Sequence, residues 1–376
     1  MAGGGHDYRP TGRPAGPGPD RGPVGRRGHS GTVNAFPDLI PVNVITGFLG
    51  SGKTSIIQRL LASPDLRDTA VLVNEFGEIG LDHDVLQHLN ENTILLGNGC
   101  VCCAIRGDLK DALRDLFSQL TRKEIRPFGR VIIETSGLAD PVPIAYTIQS
   151  EPVLRHHFRI GNTVTAIDAV NGLQHLARYC ESIKQVAVAD FLIITKSDLA
   201  DGGQVEALRK KLAHLNAGAP IIDGAETELD PAELFSGDLS DAASRTGAAK
   251  SWSSRLADHH DAGLAHEHSE GVHSISIHFD TPLDWTAFGI WMTMLLHRHG
   301  DRVLRIKGLL NVRDVDTPLL INGVQHIVHA PVHLPAWPDD DHRSRLVFIV
   351  DGINGDDIRR SLMAFNQLAN PVFENV

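Results

Sequence analysis

Residues 47–54, with the sequence GFLGSGKT, fit the pattern G-x-x-x-x-G-K-[ST] at every fixed position. Glycines at these positions let backbone N–H groups close around an anion, and the N-terminus of a following helix adds partial positive charge. We predict that Lys53 reaches the terminal phosphates of a nucleoside triphosphate and that the Thr54 hydroxyl ligates Mg²⁺. The predicted phosphate contacts are Gly47, Gly50, Ser51, Gly52, Lys53, Thr54 and Ser55.

An acidic strand end lies downstream, in residues 131–137 with the sequence VIIETSG. This stretch resembles the element of P-loop GTPases that senses the γ-phosphate. We predict that Glu134 acts on Mg²⁺, directly or through water, and that the Gly137 N–H meets the γ-phosphate. Lys53, Thr54 and Glu134 are therefore the predicted catalytic residues.

Residues 195–198, with the sequence TKSD, follow another apolar strand and resemble the Asn-Lys-x-Asp guanine motif. A carboxylate at Asp198 can accept hydrogen bonds from N1–H and the N2 amine of guanine, a donor pair that adenine lacks. Because an unpaired buried acceptor is costly, Asp198 favours GTP over ATP, and Lys196 is expected to pack along the base. Thr195 replaces the asparagine of the motif. This replacement puts at risk the hydrogen bond between this loop and the glycine-rich loop of residues 47–54, which we call the phosphate loop.

Three of the four cysteines, Cys100, Cys102 and Cys103, fall in the sequence CVCC. Thiolates bind soft or borderline metals, and three of them leave a tetrahedral Zn²⁺ one ligand short. Such an open position suits a metal that is handed on. A small buried turn and a redox thiol cluster are the alternative interpretations.

A further ligand for this site is expected in the stretch after the second strand, where a nucleotide-responsive switch would lie. The sequence does not rank the four candidates there, which are Glu75, Glu78, Asp82 and His83.

Histidine is concentrated in the second half of the chain, where 12 of the 20 lie between His259 and His342. Clustered imidazoles on a flexible chain bind Zn²⁺, Ni²⁺ or Co²⁺ weakly. One interpretation is a weak metal-collecting site, and the other is a solvated acidic linker that contains histidine. The clustered histidines are His259, His260, His266, His268 and His273.

The elements that position these residues follow from the apolar pattern. Apolar strands alternate with helical patterns across residues 37–222, which predicts an α/β domain with a mainly parallel, doubly wound sheet and ligands at its carboxyl edge. Residues 1–36, rich in Gly, Pro and Arg, are expected to be disordered. Residues 223–272 are interpreted as an acidic, His-rich linker.

Residues 273–376 are predicted to form a smaller α+β domain. Residues 283–299 indicate a helix, and Asn322-Gly323 indicates a two-residue hairpin turn. The predicted buried side of that helix comprises Trp285, Phe288, Trp291, Met292 and Leu295.

Composition excludes several classes of protein. The net charge of −11 argues against general nucleic-acid binding. No run of 18 apolar residues is present, so no membrane span is expected. Few, clustered cysteines fit a reducing cytoplasm, where thiols serve metal or redox chemistry.

Four motifs occur in the order GFLGSGKT, NEFGE, GNGCVCC and ETSGLADP. Together they resemble the CobW-type GTPases, including the zinc-regulated GTPase metalloprotein activators, over roughly residues 41–366. The resemblance implies a slow GTPase that carries a metal, usually Zn²⁺, on Cys-x-Cys-Cys to a client metalloprotein. Relatives that serve cobalamin synthesis or nitrile hydratase activation leave Co²⁺ and Fe²⁺ open.

GTP and Mg²⁺ are expected to order the stretch from Glu75 to His83, and hydrolysis would then loosen the metal. No glutamine or arginine is evident that would position an attacking water, which predicts slow intrinsic turnover. A nucleotide-dependent homo-oligomer is a candidate assembly. The rival functions are a non-catalytic zinc buffer or sensor and an ordinary regulatory GTPase with structural cysteines.

Overall fold

The computed structural model describes residues 39–73, 93–95, 104–236, 245–261 and 271–369. The helices within these ranges are α1 (Lys53–Leu61), α2 (Ala104–Thr121), α3 (Val142–Ser150), α4 (Leu154–His157), α5 (Gly172–Arg178), α6 (Cys180–Ala187), α7 (Gly202–Leu215), α8 (Pro231–Ser236), α9 (Arg245–Asp261), α10 (Trp285–His299) and α11 (Gly355–Leu368). The strands within them are β1 (Ile40–Gly47), β2 (Thr69–Val73), β3 (Thr93–Leu95), β4 (Arg130–Glu134), β5 (Phe158–Asp168), β6 (Phe191–Thr195), β7 (Ile221–Asp223), β8 (Val272–Phe279), β9 (Val303–Leu310), β10 (Leu319–Val324), β11 (Ile327–Val328), β12 (Val332–His333) and β13 (Ser344–Asp351).

The first seven strands form one parallel sheet in the order β3-β2-β4-β1-β5-β6-β7. Strand β1 lies in the middle, between β4 and β5, so the phosphate loop leaves the centre of the carboxyl edge. The register pairs Ile45 with Glu134 and Gly47 with Ala166. The prediction of a parallel, doubly wound α/β domain is therefore confirmed.

Apolar side chains on both faces hold this sheet between helices. On one face, Ile56, Ile57 and Leu60 of α1 pack in a cluster with strand residues such as Ile132. On the other face, α2 contributes Leu109, Leu113 and Leu116 to a second cluster. Each fully buried side chain of this size contributes about 1.5–3 kcal/mol, which explains why the strands are almost continuously apolar.

The C-terminal strands form an antiparallel sheet in the order β11-β10-β9-β13-β8, with β12 paired to β10. Helices α10 and α11 cover one face, and Phe288, Trp291 and Met292 are buried there as predicted. Trp285 is 42% exposed, so its predicted burial was wrong. It is the first residue of α10, after the N-cap Asp284, and it stacks on Phe288 rather than entering the core.

Two further side chains refine the buried side of α10. Leu295 is only partly buried and packs against the edge of the core. Leu296, which the sequence pattern did not favour, is buried instead.

The predicted Asn322-Gly323 turn was wrong. Strand β10 continues through both residues to Val324, and the hairpin turns at Gln325 and His326, where Gln325 has φ 50°. Pairing of Asn322 with Lys307 of β9 extends the strand past the Asn-Gly pair. The cross-strand register thus overrode the local turn signal.

The described residues of the segment interpreted as a linker include two helices. In α8, Leu234 and Phe235 pack under the parallel sheet, and in α9, Ala249 and Trp252 pack against the C-terminal sheet. Ser253 Oγ also donates a hydrogen bond of 2.5 Å to Asp339. A narrow apolar stripe suffices to dock such a helix, which is why average composition concealed it.

The described parts of Asp38–Val376 belong to one compact unit that includes both sheets. Residues 1–36, expected to be a disordered tail, lie outside the described residues. Among the helices that are described, none has the length and apolar character that crossing a membrane requires.

Candidate functional site

The phosphate loop turns sharply between β1 and α1. Gly47 has φ 142°, and a Cβ there would lie 2.3 Å from the carbonyl oxygen of Ala166. Gly52, in the left-handed region at φ 86°, is the N-cap of α1. Lys53 Nζ donates to the carbonyl oxygens of Gly47 (3.1 Å) and Phe48 (3.3 Å), so the ammonium group lies over the loop.

A hydroxyl and a carboxylate meet beside this loop. Thr54 Oγ1 donates a hydrogen bond of 2.8 Å to Glu134 Oε1, and Glu134 is only 3% exposed. The pairing of β1 with β4 brings the two together although they are 80 positions apart. Hard oxygen donors of this kind are the ligands that Mg²⁺ prefers, so the residues present fit that ion.

The loop after β4 approaches the phosphate loop closely at Gly137. A Cβ on Gly137 would lie 2.6 Å from the backbone nitrogen of Leu49. Thr135 Oγ1 donates to Thr46 Oγ1 (2.8 Å) and the Thr135 N–H donates to the carbonyl oxygen of Ile45 (3.0 Å). The loop that carries the predicted γ-phosphate contact is therefore held against β1.

The loop after β6 is also joined to the phosphate loop. Thr195 Oγ1 donates to the carbonyl oxygen of Ser51 at 2.8 Å, so the bond that the missing asparagine put at risk is supplied by a hydroxyl. Lys196 Nζ donates to the carbonyl oxygen of Gly50 at 2.7 Å. Asp198 follows on an exposed 3₁₀ turn, Ser197–Leu199.

Sequence analysis missed Asp168, the last residue of β5. Its Oδ2 accepts from Lys196 Nζ at 2.9 Å, and its Oδ1 accepts from the Val170 N–H at 2.8 Å. Burial raises the pKa of Asp168, but hydrogen bonds from Lys196, Asn171 and the backbone outweigh burial and lower it overall. The sequence signal that could have identified Asp168 is its position as an acidic residue at the carboxyl end of an apolar strand.

Asp223, at the end of β7, plays a similar supporting role. It accepts from Ser197 Oγ at 2.5 Å and from the Ala225 N–H at 3.1 Å, which braces the turn that carries Asp198. Gln185 was also missed. Its buried amide donates to the loop containing Gly137, and no local pattern distinguishes it from other helix residues.

Comparison with known proteins finds a matching family model for each of the two domains. Residues 41–223 match the family described as CobW/HypB/UreG, nucleotide-binding domain, and residues 272–366 match the cobalamin synthesis protein cobW C-terminal domain. The chain belongs to the CobW family. The family resemblance inferred from the sequence is thereby confirmed.

This CobW-family chain is 32% identical to the zinc chaperone YjiA of Escherichia coli over 320 residues, which cover 85% of this chain and 96% of that protein. It is 30% identical to the zinc chaperone CobW of a Sinorhizobium species over 325 residues (78% and 87%). It is 27% identical to zinc-regulated GTPase metalloprotein activator 1 of Schizosaccharomyces pombe over 322 residues (77% and 76%).

A solved structure shares the fold. The crystal structure of Zn(II)-bound YjiA GTPase from E. coli aligns with a TM-score of 0.64 at 26% identity. The alignment covers 87% of this chain and 99% of that one.

Several predicted metal ligands of the CobW-family chain lie outside the described residues: Cys100, Cys102, Cys103, Glu75, Glu78, Asp82, His83, His266 and His268. The backbones of His259 and His260 belong to α9, and His273 Nδ1 lies 3.0 Å from the carbonyl oxygen of Gly271. Within the part of the chain that is described, no three His, Cys, Asp or Glu side chains form a group that could hold a metal ion.

Proposed function

We propose that this CobW-family protein is a GTP-hydrolysing metallochaperone that carries Zn²⁺ on Cys100, Cys102 and Cys103 to a client metalloprotein. The single observation that carries the proposal is the Thr54–Glu134 contact beside the phosphate loop. It supports an ion site at the point where nucleotide phosphates would lie. Two relatives are named zinc chaperones and a third is named a zinc-regulated GTPase metalloprotein activator, which supports Zn²⁺ as the metal that is carried.

The guanine preference rests on the loop after β6. Thr195 and Lys196 hold this loop against Ser51 and Gly50 of the phosphate loop. Asp198 lies two residues after Lys196, and its two carboxylate oxygens would accept hydrogen bonds from the N1–H and N2 amine of a guanine. Adenine lacks this pair of donors, so ATP would lose both hydrogen bonds, which favours GTP.

Hydrolysis would depend on positioning and on charge stabilisation. Mg²⁺ supplies positive charge beside the phosphates when it is bound. Lys53 supplies a second positive charge, Thr54 and Glu134 would hold the ion, and the Gly137 N–H would bind the γ-phosphate. Slow turnover is expected because no glutamine or arginine that would position the attacking water is evident among the described residues.

The chain path supports a link between nucleotide and metal. Residues 74–92 follow β2, whose last residue, Val73, pairs with Glu134 on one side and with Leu95 of β3 on the other. The cysteine motif follows β3. Strands β2 and β3 therefore end at the same edge of the sheet as Glu134, the proposed Mg²⁺ ligand, and binding of GTP at this edge would bias the conformation of the segments that follow them in sequence.

The decisive experiment measures Zn²⁺ affinity of the protein loaded with a non-hydrolysable GTP analogue and with GDP. We expect dissociation constants that differ at least about tenfold, which corresponds to roughly 1.4 kcal/mol of coupling. Lys53→Ala is the control, because loss of nucleotide binding should abolish the difference. Equal affinities in the two states would contradict the proposal, since a nucleotide without differential effect shifts nothing.

Two variants separate the rival functions. Lys53→Ala should lose GTP hydrolysis and keep Zn²⁺ binding, whereas a zinc buffer with a vestigial nucleotide site would show no hydrolysis to lose. Cys102→Ser should abolish metal transfer in a folded protein. Unfolding of Cys102→Ser would instead favour a regulatory GTPase whose cysteines are structural.

A further inference from the structure

Gln185 connects helix α6 to the loop that carries Gly137. Its side chain is buried, and Nε2 donates to the carbonyl oxygens of Gly137 (3.2 Å) and Ala139 (3.0 Å). Its own backbone carbonyl accepts a hydrogen bond of 2.8 Å from Thr165 Oγ1 of β5. These contacts fix the loop relative to both α6 and the sheet.

The end of α6 contacts the C-terminal domain. Arg305 of β9 donates through Nη1 to the carbonyl oxygen of Val188, three residues after Gln185, at 2.6 Å. Two residues further on, Asp190 Oδ1 accepts from Arg305 Nη2 and from Lys307 Nζ, the latter at 2.7 Å. One strand of the C-terminal sheet therefore holds the segment that directly follows Gln185.

The segment between these two sets of contacts is itself well supported. Asn216 Nδ2 donates to the carbonyl oxygens of Val186 and Ala189, at 2.9 Å each. Ala187 packs in a buried cluster with Leu304 of β9. Because these contacts fix residues 186–189, a displacement of β9 would also displace the end of α6.

The ion pairs are buried as well as close. Burial raises the pKa of Asp190, but the charges of Arg305 and Lys307 outweigh burial and hold it at about 2. Burial lowers the pKa of Lys307 to about 8 against the opposing effect of Asp190. Breaking such a pair by removing one partner is costly, so the pairs favour one position of β9 against α6.

We propose that Gln185 is a positioning residue for GTP hydrolysis and that the C-terminal domain sets its position through Arg305 and Lys307. The inference rests on the proposed GTPase function. Gln185 holds the carbonyl groups of the loop whose Gly137 N–H would bind the γ-phosphate, while β9 holds the end of the same helix. A partner that displaces β9 would thereby change the turnover rate.

The test compares Gln185→Met with Asn162→Leu in the full-length protein. Both changes remove a buried amide that donates to backbone carbonyls, and Asn162 Nδ2 bonds the carbonyl oxygen of Leu234 (2.9 Å), away from the nucleotide loops. We expect Gln185→Met to lower kcat about tenfold while KM for GTP stays within about twofold. Asn162→Leu should lower the unfolding midpoint only. A kcat of Gln185→Met within twofold of wild type overturns the proposal.

A second variant tests the role of the C-terminal domain. Lys307→Met should lower kcat about threefold alone and cause no further loss in a Gln185→Met background, because both act through one path. Independent, multiplying losses in the double variant would show that β9 does not act through Gln185, which overturns that part of the proposal.

Hydrogen–deuterium exchange of residues 135–141 supplies a readout that needs no turnover. Faster exchange in Gln185→Met than in Asn162→Leu supports the positioning role, and equal exchange overturns it. A wild-type protein that does not hydrolyse GTP would instead refute the proposed function. The two failures are therefore distinguishable.

Discussion

The Thr195 hydroxyl bonds the carbonyl oxygen of Ser51 (2.8 Å) and lies 3.2 Å from that of Ile167. This position carries an asparagine in the guanine motif that residues 195–198 resemble. A threonine side chain is shorter than an asparagine side chain, yet it reaches because β6 ends close to the phosphate loop. The contact allows a direct test of how much this connection contributes to nucleotide binding.

We expect Thr195→Val to weaken GTP binding about fivefold, since a neutral hydrogen bond contributes about 1 kcal/mol. The change keeps the shape of the side chain and removes the donor. Fluorescence titration with a labelled GTP analogue measures the effect. Thr147→Val is a matched control, because Thr147 is similarly buried but bonds only within α3, to Pro143. Equal affinities of Thr195→Val and wild type would refute the role.

Gly137 limits how the loop after β4 can pack. We expect Gly137→Ala to lower kcat roughly 10- to 100-fold, because a Cβ at 2.6 Å from Leu49 forces apart the loops that would hold the γ-phosphate. Steady-state phosphate release measures the change. Gly129→Ala, where a Cβ would meet nothing within 4 Å, should retain wild-type turnover. Wild-type turnover in Gly137→Ala as well would contradict the proposed geometry.

Among the elements, α9 shows how few residues are needed to dock a helix. Trp252 is 3% exposed and packs with Leu309, Leu320 and Val347 on the face of the C-terminal sheet opposite the cluster of α10 and α11. A segment that reads as polar in its average composition is thus part of the folded unit.

We expect Trp252→Ala to lower the free energy of unfolding by about 3–5 kcal/mol, the usual cost of removing a buried aromatic side chain. Urea unfolding followed by circular dichroism measures it. Lys250→Ala, on the exposed side of the same helix, should change stability by less than about 0.5 kcal/mol. If both variants are equally stable, α9 does not contribute to the core in solution.

At the scale of the whole molecule, the contact between the two domains includes a buried group of charged side chains beside the apolar cluster of Ala187 and Leu304. Asp190 faces Arg305 and Lys307 of β9, and His329 lies close enough to interact with both Arg305 and Asp190. Burial and the charge of Arg305 lower the pKa of His329 to about 4, so it is neutral at pH 7. Arg255 of α9 adds positive charge near Lys307.

Asp190 should make stability depend on pH. Its pKa of about 2 in the folded protein lies below the ordinary value of 3.8, so its stabilisation is present above pH 3.8 and is lost as pH falls towards 2. The shift corresponds to about 2 kcal/mol. The difference in free energy of unfolding between wild type and Asp190→Asn should therefore shrink by up to that amount between pH 4 and pH 2.

Chemical unfolding at a series of pH values measures this difference. Asp316→Asn makes the same charge change at an exposed position and should show a small difference at every pH. A difference for Asp190→Asn that stays constant down to pH 2 would show that the carboxylate is not stabilised by its partners.

Much of the fold and the phosphate site could be predicted from the sequence, because these features depend on local patterns. A glycine-rich loop between an apolar strand and a helix specifies its own backbone, and buried parallel strands need near-continuous apolar residues. The family motifs then predicted both domains. The Asn322-Gly323 turn failed for the converse reason: pairing with β9 outweighed a local preference.

The sequence by itself determined that a glycine-rich phosphate loop precedes a helix and that a parallel sheet supports this loop. It also determined that Glu134 ends a strand and that Asp198 follows another. Only the tertiary structure decided that Thr195 joins the loop after β6 to the phosphate loop and that Gln185 holds the loop after β4. It also decided that Asp190 meets a strand 115 residues away. Those contacts depend on where distant segments cross. Short-range patterns record the backbone preferences of neighbours, and they carry no information on which side chains meet across the fold.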